Sequence, residues 1–201
     1  MPTHIALLRG INVGGNKRVA MADLRDVVAA LGHDDVATYI QSGNVVFSPP
    51  QAGPGAADTV ALAAGLERAV ADRLGMQAGV IVLSRDELAQ VAADNPYPDE
   101  PNPKLVHVIF LPAEPEAGHA DFLADAQRQA AAKGSRDEVT LVGRAVFLHT
   151  PDGFGTSELA KLLGKSRGPM SAKSAGTARN WATVTKLLAL CDPPGPGSTS
   201  S

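Results

Sequence analysis

The segment from Arg9 to Arg18 combines glycines with basic residues in a way that suits the binding of an anion. It contains three glycines and no acid, and its three basic residues are Arg9, Lys17 and Arg18. Glycines allow backbone N–H groups to approach a ligand without an intervening Cβ, and such groups beside lysine or arginine suit a phosphate. The segment lacks the phosphate-loop and dinucleotide-binding patterns. A tight structural crossover with solvated basic residues is therefore the alternative interpretation.

A second glycine-rich segment, Pro151 to Ser157, also precedes a predicted helix. Ser157 or Thr156 can cap that helix or contact a ligand. The stretch 156–190 has six basic residues and one acid, in a chain whose net charge is −3. Its basic residues include Arg179, and this segregation of charge indicates either an anion site or a solvated basic face. We expect the two glycine-rich segments to occupy corresponding places in two similar halves of the chain.

The third candidate is a turn, Ser42-Gly43-Asn44, whose hydroxyl and amide groups can contact a ligand. Turns need such residues for conformational reasons as well, and this is the alternative interpretation. The ligand-binding residues predicted from the three segments and the basic stretch are Arg9, Asn12, Gly14, Gly15, Lys17, Arg18, Ser42, Asn44, Ser157, Arg179 and Asn180.

Other residues capable of chemistry form no recognisable motif. The histidines, at positions 4, 33, 107, 119 and 149, lack the spacing of metal ligands. The single cysteine, Cys191, ends an apolar run and excludes an internal disulfide. No serine lies in a nucleophile elbow. The sequence therefore predicts no metal and no cofactor, and it identifies no catalytic residue, so whether the protein is an enzyme stays open.

Hydrophobic periodicity predicts the elements that must position these segments. The first half has a strand at Ile5–Leu8, a helix at Met21–Leu31, a hairpin of Thr38–Gln41 and Asn44–Phe47 with a two-residue turn, a helix through Leu62–Leu74, a strand at Val80–Leu83 and a helix capped by Ser84. The second half has a strand at Leu105–Leu111, a helix at Ala117–Ala132, a hairpin of Val139–Val142 and Ala145–His149, a helix at Ser157–Leu163 and a last helix at Arg179–Leu190. No closing strand is evident in the second half between Lys165 and Gly176.

This order predicts an α+β fold of two ferredoxin-like (βαββαβ-type) subdomains in tandem, with antiparallel-rich sheets and helices packed on them. The closest match between the halves aligns Asn44–Phe47 with Arg144–Phe147. We place the first half at residues 1–94 and the second half, with the C-terminal helix, at 104–191; together they can be counted as one domain, 1–191. Four prolines separate them. Residues 192–201 are predicted to be a disordered tail.

The composition is that of an ordinary globular protein, with 44% hydrophobic and 19% charged residues. Aromatic residues make up only 4% and the net charge is negative, so both features disfavour nucleic acid as a partner. The chain has no signal-peptide pattern and no apolar run long enough to span a bilayer. We therefore expect a cytoplasmic protein without a membrane partner.

Several stretches resemble a bacterial family, the domain of unknown function 1697. They are Ala6–Gly15 with its RGINVGG motif, Met21–Leu24, Thr38–Phe47 with its TYIQSGNVVF motif, His107–Leu111, Pro151–Gly153, Thr177–Trp181 and Thr183–Leu187. The resemblance implies two α+β subdomains with ferredoxin-like halves, and it implies no established activity, substrate or catalytic residue. Two positions depart from the family pattern: Glu158 stands where lysine is usual, and Ala182 where asparagine is usual. If either missing group is functional, this chain has diverged.

Three functions are compatible with these features. The favoured hypothesis is the binding of a phosphate-bearing small molecule such as a nucleotide, with or without catalysis. The first alternative is a nucleic-acid-binding module, because ferredoxin-like halves also occur in RNA-recognition sheets, although only Tyr39 and Phe47 would offer aromatic rings for stacking. The second alternative is a non-catalytic interaction domain that forms oligomers through its sheets.

Overall fold

The computed structural model describes residues 1–11, 18–50, 57–165 and 176–192. The described residues divide into two compact units, the first within 1–89 and 185–192 and the second within 90–184. The predicted tail from 193 onward and the greater part of the first glycine-rich loop lie outside the described residues.

The first unit is built on a four-stranded antiparallel sheet. Its elements are β1 (His4–Arg9), α1 (Met21–Ala29), β2 (Asp34–Tyr39), β3 (Asn44–Ser48), α2 (Thr59–Leu74), β4 (Gly79–Ser84) and α3 (Arg85–Ala93). The strand order is β2-β3-β1-β4, so that β1 and β3 are central. The last helix, α3, continues across the division between the units.

The second unit repeats this arrangement. Its elements are β5 (Val106–Phe110), α4 (His119–Ala131), β6 (Glu138–Val142), β7 (Ala145–His149), α5 (Glu158–Lys165), β8 (Thr177–Asn180) and the start of α6 (Trp181–Cys191), a helix that passes into the first unit at Thr185. The strand order is β6-β7-β5-β8. The predicted α+β class is confirmed. Each unit has the element order β-α-β-β-α-β that a ferredoxin-like half requires.

Each sheet packs one apolar face against two helices, because alternate residues along a strand point to the same side. In the first unit this core joins Ala6, Leu8, Val45, Phe47, Val80 and Val82 to Leu24 and Val28 of α1 and to Leu66 and Val70 of α2. The corresponding core of the second unit includes Leu111, Val146 and Leu148 with Leu123 of α4 and Leu159 of α5. A slip by one residue would turn these side chains to the opposite face of the sheet, away from the helices that they contact.

Main-chain hydrogen bonds show which residues of the two units correspond. The N–H of Leu8 donates to the carbonyl of Gly43, and the N–H of Leu111 donates to the carbonyl of Arg144, both at 2.8 Å. Leu8 therefore corresponds to Leu111, and Gly43 to Arg144. The expected alignment of Asn44 with Arg144 is wrong by one residue.

Two boundaries differ from the sequence prediction. The first hairpin has a four-residue turn, 40–43, because β2 begins at Asp34 and ends at Tyr39. Two exposed acids at the start of β2 and an irregular register between Asp34 and Ala37 interrupt the alternating pattern, so the sequence predicts only the end of this strand. The last helix begins at Trp181, not Arg179, because Thr177–Asn180 pairs with β5 as the closing strand β8. Its four residues are too few to show an alternating pattern.

The helix that follows β4 begins as predicted. The hydroxyl of Ser84 accepts from the N–H of Glu87 at 3.1 Å, and the Glu87 carboxylate accepts from the N–H of Ser84 at 2.7 Å. This reciprocal pair is a capping box, which satisfies two N–H groups that the helix leaves without partners. The prediction that Ser84 caps α3 is confirmed.

Candidate functional site

Arg9 is the last residue of β1, and its side chain lies across the neighbouring edge strand. It pairs with Gly79 of β4. A Cβ added at Gly79 would stand 3.3 Å from both Nε and Nη2 of Arg9. The guanidinium therefore rests on bare backbone, and the glycine keeps that space open. Arg9 is half-buried at this end of the sheet.

The chain that leaves β1 packs against the turn between β2 and β3. Gly43 has a φ of +74°, and a Cβ added there would lie 2.7 Å from Cδ1 of Ile11 and 2.9 Å from Cβ of Leu8. Only glycine tolerates both the left-handed backbone and this close approach. Two of the predicted segments are thus adjacent in the first unit: the start of the basic loop and the Ser42 turn.

The buried side chain of Asn44 stabilises the turn between β2 and β3. Its side chain is fully buried, and its Nδ2 donates to the Tyr39 carbonyl at 3.0 Å and to the Ser42 hydroxyl at 2.9 Å. The turn holds Ile40 at a φ of +48° with half of its surface exposed. This conformation strains a β-branched residue. The predicted contacts at Asn12, Gly14, Gly15 and Lys17 lie outside the described residues, whereas Arg18 is described and exposed.

Ser157 caps α5. Its hydroxyl accepts from the N–H of Ala160 at 2.8 Å and donates to the Asp137 carboxylate at 2.8 Å. Ser157 is 4% exposed, so its hydroxyl is buried and serves these structural contacts. Glu158, the residue that departs from the family pattern, pairs with Lys161 and Lys133, and these ammonium groups lower the pKa of its carboxyl.

Arg179 is a buried arginine in β8, with 8% of its surface exposed. Its Nη1 donates to the Thr177 hydroxyl at 2.7 Å and to the Ala178 carbonyl at 2.8 Å. Burial lowers the pKa of the guanidinium to about 10. The next residue, Asn180, caps α6 by accepting from the N–H of Thr183 at 2.9 Å.

The two units differ in polarity at two buried positions. In the sheets, Ser84 is paired with His4 in the first unit and Asn180 with His107 in the second, so that Ser84 and Asn180 correspond. The residues directly before them, Leu83 and Arg179, therefore correspond as well. A leucine 4% exposed therefore fills the place that the second unit gives to a guanidinium. Likewise Asn44, the residue after Gly43, corresponds to the apolar Ala145, the residue after Arg144. A buried charge is costly, and the twin unit shows that this fold forms without it.

The two glycine-rich segments do not occupy corresponding places. The first connects β1 to α1, and its counterpart in the second unit is the connection 111–118, which contains Glu114 and Glu116 and no basic residue. The segment at 151–157 connects β7 to α5, and its counterpart is the connection 49–58 between β3 and α2. The expectation of equivalent loops is therefore wrong. The order of elements predicts the repeat, but it does not give the strand register that is needed to match one connection with another.

Two groups of polar residues in the second unit escaped the sequence analysis. Glu100 accepts from Nε2 of His149 at 2.7 Å, and the ring of Tyr97 lies 5.0 Å from that of His149. The ring of His107 stacks on that of Phe154 at 4.0 Å, and its buried Nδ1 has no hydrogen-bond partner among the described residues. Burial lowers the pKa of His107 to about 4. Spacing in the sequence gave no signal for either group, because the members are 40 or more residues apart.

The described residues contain no group of three or more histidine, cysteine or acidic side chains placed to hold a metal ion. None of their helices is long and apolar enough to cross a membrane. Two units, each with a four-stranded antiparallel sheet covered by helices, define an α+β protein with a repeated architecture.

The chain belongs to the family described as Protein of unknown function (DUF1697), whose model matches residues 1–147. Among solved structures, it is similar to the conserved bacterial protein SP0830 from Streptococcus pneumoniae. The two are 23% identical and superpose with a TM-score of 0.66, over 95% of this chain and 99% of that one. This likeness concerns the fold. The comparison with curated proteins finds no match.

Proposed function

We propose that the protein binds a small phosphate-bearing anion, such as a nucleotide or sugar phosphate, and that Arg179 supplies the main positive charge. The observation that carries the proposal is a buried guanidinium at a position where the first unit has Leu83. The fold is stable with a hydrocarbon side chain at that place. A charge kept there at a cost in stability indicates selection for another purpose.

The environment of Arg179 favours an anion over a neutral ligand. Burial disfavours the charged guanidinium, and its hydrogen bonds to the Thr177 hydroxyl and the Ala178 carbonyl orient it. A bound phosphate would offset this penalty and accept two parallel N–H bonds from the planar guanidinium. In the first unit, Arg9 over Gly79, Arg18 and the Ser42 turn are proposed as a second place for an anionic group.

The RNA-binding alternative has less support. RNA-recognition sheets stack bases on aromatic rings exposed on their central strands. Here Phe47 and Phe147 lie on central strands and both are fully buried. Neither ring can meet a base while the sheets keep this packing.

Thermal unfolding in the presence of inorganic phosphate, sulfate, nucleotides and sugar phosphates tests the proposal. A ligand at about 100 times its Kd stabilises the folded state by about 2.7 kcal/mol. The replacement Arg179→Leu should abolish this response, and Arg9→Ala should weaken any response that arises in the first unit. The control is Arg68→Ala, which removes one positive charge from an exposed position of α2. Absence of stabilisation by every compound, or an unchanged response in Arg179→Leu, would refute the proposal.

A further inference from the structure

The strand β6 forms an open and regular edge of the second sheet. It lies at the end of the strand order, and its five residues pair with β7 without a bulge. All five are exposed or half-buried. An unprotected edge of this kind is a template for another strand, because it presents main-chain groups that no neighbour in the sheet can satisfy.

A hydrogen bond shows which groups of β6 point outward. The N–H of Val139 donates to Oε1 of Gln127, a residue of α4, at 2.8 Å. This N–H therefore points away from β7. Main-chain groups of alternate residues point the same way in an antiparallel strand, so the N–H and C=O of Leu141 also face outward. The edge thus offers a donor and an acceptor at Leu141.

The equivalent edge of the first unit is obstructed. Its strand, β2, has an irregular register between Asp34 and Ala37 and starts with two exposed acids. Nη1 of Arg25 on α1 also donates to the hydroxyl of Thr38 at 2.9 Å, which bridges the helix and the edge strand. Bulges and charges are the devices by which proteins prevent the pairing of edges. The first unit has both an irregular register and two acids on this edge, whereas β6 has a regular register and a single acid, Glu138.

The unobstructed edge borders an apolar groove between α4 and β6. Its volume is about 600 Å³, and its lining includes Ala120, Ala124 and Ala131 of the helix with Val139 and Leu141 of the strand. The spacing of the buried residues Leu24 and Leu123 places Ala124 where the first unit has Arg25. The small side chain leaves space that the arginine bridge fills in the first unit.

The charges at the two ends of the edge are opposite in sign. The exposed Glu138 opens β6, and Arg144 follows its end in the turn to β7. Within the part of the chain that the structure describes, neither side chain forms an ion pair. An antiparallel neighbour with the same sequence would place its arginine beside this glutamate and its glutamate beside this arginine. The edge is therefore complementary in charge to a second copy of itself.

We infer that β6 is a self-association surface, at which two copies of the chain pair their β6 strands antiparallel about a two-fold axis. The pairing joins two four-stranded sheets into one of eight strands. It satisfies the outward main-chain groups of Leu141 and places each Glu138 beside the partner copy's Arg144. Such an isologous contact closes on itself, so it yields a dimer and not a filament.

Sedimentation equilibrium of the full chain over a range from about 1 to 500 μM, spanning the affinities of transient contacts, tests this inference. The wild type should show a monomer–dimer equilibrium that weakens as salt screens the paired charges. Glu138→Arg and Arg144→Glu should each lower the association constant by about tenfold or more, since like charges then lie side by side twice in the dimer. The double variant Glu138→Arg/Arg144→Glu should restore it.

Two controls separate this contact from others. Asp34→Arg, on the obstructed edge of the first unit, should leave the association constant unchanged. Amide exchange should slow at Leu141 as the concentration rises, and not at Thr38. A monomer at every concentration overturns the inference. So does a dimer that is indifferent to both single reversals, because association must then use another surface.

Discussion

The replacement Arg179→Leu separates a structural from a functional reason for the buried arginine. Leucine is the residue of the first unit at the corresponding position, so the fold already accommodates its shape. The replacement removes a guanidinium with 8% exposure and adds apolar contacts on a face that includes Val108 and Phe147. The neighbouring residues are unchanged in this variant, including Asn180, which caps α6.

The structure sets the magnitude and sign of the effect. Burial lowers the pKa of Arg179 to about 10, from an ordinary value above about 12. Each pH unit corresponds to about 1.4 kcal/mol, so the charged form is disfavoured by about 3 kcal/mol. Loss of the hydrogen bonds to Thr177 and Ala178 offsets about 1 kcal/mol of this. We expect the free energy of unfolding to rise by about 2 kcal/mol, or the Tm by about 4–8 °C for a chain of this length.

The assay is thermal and urea unfolding of both proteins, with and without phosphate-bearing ligands. The expected result is a variant that is more stable than the wild type without ligand and that no longer responds to ligand. Arg179→Lys provides a second comparison, because it keeps a charge and loses the planar fork. A variant that is less stable than the wild type and retains the ligand response would show that Arg179 is a structural residue, and the reasoning would be wrong.

Three further predictions concern stability. The pKa of His107 is about 4 when the chain is folded and near 6.5 when it is unfolded, so the unfolded chain binds more protons between these values. The free energy of unfolding should therefore fall as the pH drops through that window. His107→Leu should remove up to roughly 3 kcal/mol of this dependence in urea titrations from pH 4 to 7. Ser84→Ala should cost about 1 kcal/mol by removing the cap of α3, measured by urea unfolding, and Ser84→Asp should preserve most of it. Gly43→Ala should destabilise by about 2–3 kcal/mol, because a left-handed backbone and a clash with Ile11 add together. Gly10→Ala meets no atom of the described residues within 4 Å and should cost only the backbone strain of about 1 kcal/mol. Equal losses at the two glycines would contradict the role of the clash.

The architecture could be predicted because most elements carry a local signal. The apolar runs at Ile5–Leu8 and Val80–Leu83 lie in buried strands, and the spacing of Leu24, Val27 and Val28 matches the buried face of α1. These signals depend only on periodicity. Strand β8 has no such signal, because its pairing with β5 and not its composition makes it a strand.

The candidate site could be predicted only in part. Arg9 and the Ser42 turn were proposed separately, and the structure places their segments side by side through the contact of Ile11 with Gly43. The sequence singles out Arg179 only as one of several basic residues in a charged stretch. Its burial depends on its position in β8, and the sequence pattern predicts a helix from Arg179 onward instead of this strand.

In both units the closing strand passes directly into a helix. Ser84 ends β4 and Arg85 begins α3, and Asn180 ends β8 where Trp181 begins α6. With no loop between them, the direction in which each helix leaves its sheet is set by the φ and ψ angles of the one or two residues at the junction. A displacement of Arg179 in β8 should therefore be felt first at the start of α6, where Asn180 accepts from the N–H of Thr183.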